Sequence, residues 1–193
     1  MRNGKMNEDA FTGLEAAIVL IAFVVVAAVF SYVVLGAGFF TTQKSQQVVH
    51  SGVTQAASNI VVKGEVYGIA DQTNTNEIQY IRFDVGLAAG GLPVDMNKTT
   101  LVYSTPGGGV TTLLKDLDVG SAPVAGNWSI SARQPELGND LLQTDSLFTV
   151  YVHPPANIKP RDTFNIEIKP EAGASLGIAR SVPAGITNTT LLY

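Results

Sequence analysis

Residues 8–40 read EDAFTGLEAAIVLIAFVVVAAVFSYVVLGAGFF, and the rest of the chain has to be understood around this stretch. A single acid, Glu15, opens a run of 25 uncharged residues from Ala16 to Phe40. As a helix the run rises about 1.5 Å per residue, roughly 37 Å in all, enough to cross a bilayer core of about 30 Å. The apolar region of a secretory signal is shorter, about 7–15 residues, and is cut behind. The run is also apolar all round, so it must be buried on every side. Lipid can do that, and so can a bundle of identical helices from neighbouring subunits.

Behind Phe40 the pattern changes. In TTQKSQQVVHSGVTQAASNI (41–60) the residues Val49, Val53, Ala56, Ala57 and Ile60 recur at helical spacing among Gln, Ser and Lys. The spacing predicts one helix to about Ile60, greasy at its front and amphipathic behind, suited to lying against a soluble domain. Such a helix reads as a filament spine.

The chain's 193 residues allow one globular domain plus an extra element. Hydrophobic residues make up 46% of it, yet no Asp, Glu, Lys or Arg occurs from Ala16 to Gln43. The positive mean hydropathy therefore averages two unlike parts. A net charge of −4 with no Lys/Arg cluster argues against nucleic acid as a partner. The absence of cysteine excludes disulfides, thiolate metal sites and cysteine nucleophiles.

From about Val61 the apolar period is two. Ile81, Phe83, Val85 and Leu87 alternate with polar or small residues, as do Phe148, Val150 and Val152, and Phe164, Ile166 and Ile168. Shorter strand candidates are IVVKGEVYGI, TTLVYST, GVTTLLK, NWSISARQ and LGIARSV, with turns rich in Gly, Pro, Asn and Asp between them. Seven or eight short strands predict an antiparallel β-sandwich with Trp128 in its core. The fold class is thus α+β, a long helix followed by a sandwich.

The polar leader MRNGKMNEDA followed by FTGLE carries a resemblance. With a cut between Ala10 and Phe11, an aromatic becomes the first mature residue and Glu15 the fifth, which resembles the class III signal of type IV pilins. The wider stretch FTGLEAAIVLIAFVVVAAVFSYVVLGAGFF, with TTQKSQQVV behind it, is similar to archaeal flagellins (archaellins), and ARSVPAGITNTTLLY at the other end resembles their tails. Leaders of that family commonly carry basic residues and Gly before the cut, where this chain has Glu8, Asp9 and Ala10. The resemblance implies three parts: a removed leader (1–10), a filament-core helix (11–60) and an outer, immunoglobulin-like β-sandwich domain (61–193). It also implies assembly through Phe11 and Glu15, the new ammonium and the carboxylate neutralising each other in apolar surroundings. A plainer reading of TGLE is a Thr-x-x-Glu capping box that places an acid at a helix front. The two readings are compatible.

Three N-x-S/T triplets, at Asn97, Asn127 and Asn188, are candidate N-glycosylation acceptors, and all avoid the helix. Trp128 beside Asn127 tends to draw that residue inward. Other signals carry less. TPGGGV lacks the Lys-Ser/Thr of a phosphate loop. DQTNTNE (71–77) and KDLD (115–118) offer oxygen ligands without an EF-hand spacing, so polar turns are the default and no metal is assigned. His50 and His153 stand in no motif, and no nucleophile elbow occurs. Packing is the default role of Phe23, Phe30, Phe39 and Phe40. No catalytic residue and no cofactor is assigned.

The expectation is therefore a structural subunit of the archaeal flagellum (archaellum), a helical homopolymer outside the cell that serves swimming. Its precursor would sit in the cytoplasmic membrane and meet the membrane only before assembly. The implied partners are other copies, a class III signal peptidase, an assembly ATPase with its membrane platform, and a glycosyltransferase. Alternatives are an adhesive type IV pilin-like subunit, or a surface domain on an uncleaved transmembrane anchor.

Overall fold

The structure, a computed structural model, describes residues 3–116, 120–136 and 138–193, with side chains in the helix from Thr12 onward. Ala10 and Phe11 lie on the helical backbone, but their side chains fall outside the described residues, as do Leu117 and Asp118 of the KDLD stretch. The chain divides into two units, Met1–Ser51 and Gly52–Tyr193.

The first unit is helical, part of a single helix α1 (Asn3–Ala57). The sequence contains no proline before Pro93, so nothing removes a backbone donor along its length. Its many valines cost each a few tenths of a kcal/mol in helix propensity. Exclusion of water reverses that balance, because in an apolar medium every backbone N–H and C=O must be bonded within the segment. Two hydroxyls obey the same demand: Thr41 and Thr42 donate to the carbonyls of Ala37 and Gly38, at 2.8 and 2.9 Å. Because the helix begins at Asn3, Thr12 and Glu15 are interior, and TGLE does not cap it in the chain as it stands.

The helix stops three residues short of the expected Ile60. Ser58 N–H still donates to Thr54, but the Asn59 side chain turns back to the Ala56 carbonyl at 3.0 Å. Leu92 N–H takes the Ala57 carbonyl at 3.2 Å. With these carbonyls capped from outside, no further turn forms. Ile60 is buried, as its apolar spacing suggested, but as the first residue of a strand.

Among the described residues the second unit holds twelve strands. They are β1 (Ile60–Val62), β2 (Val66–Ala70), β3 (Ile78–Leu87), β4 (Val94–Asp95), β5 (Thr100–Thr105), β6 (Gly109–Lys115), β7 (Asn127–Gln134), β8 (Leu141–Leu142), β9 (Leu147–Val152), β10 (Thr163–Lys169), β11 (Leu176–Ser181) and β12 (Thr189–Leu192). Hydrogen-bonded neighbours run β11-β10-β5-β6-β7-β9-β3-β2-β12, while β1 also pairs with β3 and β4 pairs with β8. Gly64, at φ +89°, breaks what would be one strand into β1 and β2, which share an edge of β3.

This is the expected sandwich-like, mostly antiparallel domain, with one exception. The front of β6 pairs antiparallel with β5, but Leu114 and Lys115 pair parallel with Asn127 and Trp128 of β7. One strand is thereby shared by two sheets. On the opposite side, Ser181 and Tyr193 exchange backbone hydrogen bonds at 2.5 and 3.2 Å, tying the end of β12 to β11.

The core lies between the sheets and follows the period-two pattern. Ile81, Phe83 and Val85 of β3 face Val152, Val150 and Phe148 of β9, and all six are essentially inaccessible. Trp128 and Ile130 of β7 register with Val152 and Val150. A register shift between Ile130 and Ala132 then puts Arg133, instead of Ala132, opposite Phe148. That bulge brings a cation to the margin of the core. There Arg133 and Lys115 both pair with Asp140, Lys115 at 2.5 Å, and the same ammonium donates to Asn97 Oδ1 and lies 5.8 Å from the Trp128 ring.

Burial opposes ionisation of Asp140, but Lys115 and Arg133 outweigh it and hold its pKa below the ordinary carboxylate value. A carboxylate depressed in this way contributes stability above the unfolded-state pKa of about 3.9, and that contribution disappears as pH falls through the lower folded value. Asp140→Asn should cost about 3 kcal/mol, since two cations lose a largely buried partner. Denaturation of the detergent-solubilised chain, followed by fluorescence of Trp128, would measure it. The deficit relative to wild type should shrink as the pH is lowered below 4.

Candidate functional site

The feature that needs a function is the surface of α1. In the single chain every residue from Thr12 to Val53 is exposed. Twenty large apolar side chains from Leu14 to Val53 are uncovered, with exposures between 51% and 80%. Ile18, Val19, Leu20 and Ile21, then Phe23, Val24, Val25 and Val26, cover consecutive 100° steps round the helix, so no face is left for water. Burying one such side chain is worth about 1.5–3 kcal/mol, so the unmet gain per subunit is on the order of tens of kcal/mol. No isolated molecule in water keeps such a surface. It is an assembly surface, satisfied by lipid or by other helices.

The four phenylalanines belong to it. Phe23, Phe30, Phe39 and Phe40 are exposed on the helix and not packed within the chain. The default packing role therefore needs contacts from another molecule. Val49 and Val53 are exposed as well, whereas Ala57 is half-buried. Glu15 is the one side chain from Thr12 to Gln43 that is charged at neutral pH, and it is exposed among these apolar neighbours.

The three sequons occupy different environments. Asn188 is exposed beside β12, and its side chain makes no hydrogen bond among the described residues. Asn97 is exposed on a 3-10 turn (Met96–Lys98), and Lys115 holds its Oδ1, while its Nδ2 makes no hydrogen bond among the described residues. Asn127 differs: it is half-buried, and its Nδ2 donates to Asp116 Oδ1 at 2.6 Å.

The remaining polar candidates are explained locally. Asp71 accepts from Thr73 N–H at 2.8 Å and from Asn157 Nδ2 at 2.9 Å. The Thr73 N–H bond is the main reason its pKa is lowered. This is a polar turn. His153 is half-buried, with Nδ1 2.9 Å from the Pro123 carbonyl and its ring 4.7 Å from Tyr80. His50 is exposed on the helix. Among the described residues no three His, Cys, Asp or Glu side chains converge to hold a metal. The Lys115, Arg133 and Asp140 cluster was not foreseen, since only the β7 bulge brings its members together.

Comparison with known proteins completes the description. The family model for archaeal-type flagellin matches residues 10–180. The chain is 43% identical over 196 residues to a protein of Archaeoglobus fulgidus named probable flagellin 1, an alignment covering 96% of each. Among solved structures, the archaeal flagellum of Methanospirillum hungatei matches at TM-score 0.73 and 37% identity, over 94% of this chain and 99% of that one. The archaeal flagellin FlaB1 of Methanocaldococcus jannaschii matches at TM-score 0.57 and 17% identity, over 70% of this chain and 97% of that one, a likeness of fold alone.

If the solubility problem resides in the helix, residues 52–193 expressed alone should be monomeric without detergent. The full chain should require detergent or appear only as large particles. Sedimentation velocity of the two would decide, and a detergent-dependent fragment would move the assembly surface onto the β-domain.

Proposed function

We infer how the subunit works from one premise: the chain belongs to the archaeal-type flagellin family. It is a structural subunit of the archaeal flagellar filament, an extracellular polymer of copies of itself built through the N-terminal helix. The observation that carries this is the helix surface, apolar on every side from Ala16 to Phe40 and uncovered from Thr12 to Val53. Before assembly lipid covers that surface in a membrane-anchored precursor. Afterwards neighbouring helices cover it, so polymerisation exchanges one apolar environment for another and leaves little of the helix in water. The subunit catalyses nothing; its work is mechanical.

In our reading a class III signal peptidase cuts between Ala10 and Phe11. The helix that now begins at Asn3 would then begin at Phe11, and Thr12 and Glu15 would move from its interior to its N-terminal end. There the Glu15 carboxylate meets the favourable end of the helix dipole and a fresh ammonium on Phe11. One charge pair entering the bundle is far less costly than a lone carboxylate. An assembly ATPase with its membrane platform moves the subunit from lipid into the growing polymer. A glycosyltransferase modifies Asn97 and Asn188, whose amides face water, and passes over Asn127, whose amide is committed to Asp116.

Sheared filaments are the material for the test. The N-terminal peptide should begin at Phe11 by mass spectrometry, with glycan mass on the peptides of Asn97 and Asn188 and none on that of Asn127. A filament chain that still begins at Met1 would remove the role given to Glu15. Replacing the acid, as Glu15→Leu, should lower the sedimentable fraction at least tenfold while precursor in the membrane remains. Undiminished filaments would restrict Glu15 to a local helix effect.

A further inference from the structure

The β-domain also contains a cavity of about 450 Å³ that the assembly role leaves unused. It lies between the β5–β6 hairpin and the loop that leads into β10. We propose that this cavity binds a neutral saccharide of one or two residues, through the hydroxyl of Tyr103 and the side chains of Arg161, Asp162 and Asn157.

The volume falls in the range of small-molecule sites, about 300–1,000 Å³. Tyr103 lines the cavity, is only 7% exposed, and has no hydrogen-bond partner for its hydroxyl among the described residues. The hydroxyl is not sealed within the core, so it can meet a group that enters the cavity. Its ring stacks on Phe164 at 6.1 Å, which fixes its position. Burial and then Asp162 push its pKa up to about 12, so at neutral pH it remains a hydrogen-bond donor.

The other groups define the ligand's class. Asn157 commits its Nδ2 to Asp71, which leaves its carbonyl oxygen as an acceptor. Among the described residues Arg161 makes no ion pair and is the one non-glycine with positive φ, at 69°. Thr105, Thr111 and Thr163 add hydroxyls, while Pro155 and Ile158 supply apolar wall. The guanidinium and the Asp162 carboxylate cancel in net charge, which disfavours a phosphate or a carboxylate ligand. Donors and acceptors in equal supply beside apolar patches match the hydroxyls and C–H faces of a sugar ring. That sugar can come from a neighbouring subunit's own glycan or from a foreign surface.

The test uses intact sheared filaments and saturation-transfer NMR. The probes are neutral disaccharides (maltose, lactose, chitobiose), the oligosaccharide released from the filaments themselves, and inorganic phosphate. At least one saccharide should bind. The released oligosaccharide alone would identify the subunit's own glycan as the source, and a disaccharide would identify a foreign one.

Three variants leave the fold intact for different reasons. Tyr103→Phe removes one oxygen and should weaken binding about fivefold. Arg161→Gly removes the cation at a backbone conformation glycine prefers, so affinity should fall about tenfold while thermal stability holds or rises. Gly107 lines the cavity with open space where a Cβ would stand, so Gly107→Leu fills the cavity and should abolish binding. Failure of every saccharide, binding unchanged in Gly107→Leu, or phosphate displacing the sugar would each overturn the assignment. Repeating the titration on the detergent-solubilised full chain separates this outcome from any failure of polymerisation.

Discussion

An apolar cylinder without a polar side has no place in water, and everything else in this subunit is arranged around that constraint. The run from Ala16 to Phe40 can reside in lipid or among its own kind, so the chain has two possible homes for one helix. The backbone is satisfied internally in both, and Thr41 and Thr42 turn their hydroxyls back onto the helix. Only Glu15 resists both homes, and it stands at the end of the run where a charge is easiest to neutralise. The β-domain carries the opposite assignment: it folds by its own core and supplies the surface that can stay wet.

The parts legible in the sequence were those specified by local periodicity. The uncovered helix followed from an uninterrupted apolar run, and the core residues of β3, β9 and β10 followed from strict alternation. Trp128 was placed correctly because a lone aromatic in an alternating strand has few other uses. What escaped was set by partners distant along the chain. Ile60 fits a helical period equally well, and only the caps from Asn59 and Leu92 end the helix before it. The two-residue strands β4 and β8 are too short to show alternation, and β12 lies in a threonine-rich segment whose pairing with β2 has no local signature.

The site residues divide along the same line. The sequons are readable as triplets, and Trp128 marks Asn127 as the one drawn inward, but the partners are not readable: the Asp116 that holds Asn127 lies eleven residues away, and the Lys115 that binds Asn97 lies eighteen away. Asp140 likewise joins two cations that no motif groups together. The TGLE motif shows the converse. Its cap-like spelling is present, yet the helix passes through it, and the function of the spelling depends on where the chain is made to begin.

The sharing of β6 between two sheets, together with the Ser181–Tyr193 bonds on the far side, makes the run of strands close into a hoop. An open sandwich yields to a tangential pull by peeling from an edge strand, one ladder bond at a time. A hoop offers no starting edge at its seams, so the same pull must shear several ladders together. In a filament that serves swimming, a load on one strand of this domain is therefore spread over several ladders. Its two closures are short, the paired residues of β6 and β7 on one side and the two backbone bonds of Ser181 and Tyr193 on the other, so the ring is held shut by few bonds and kept by all of them together.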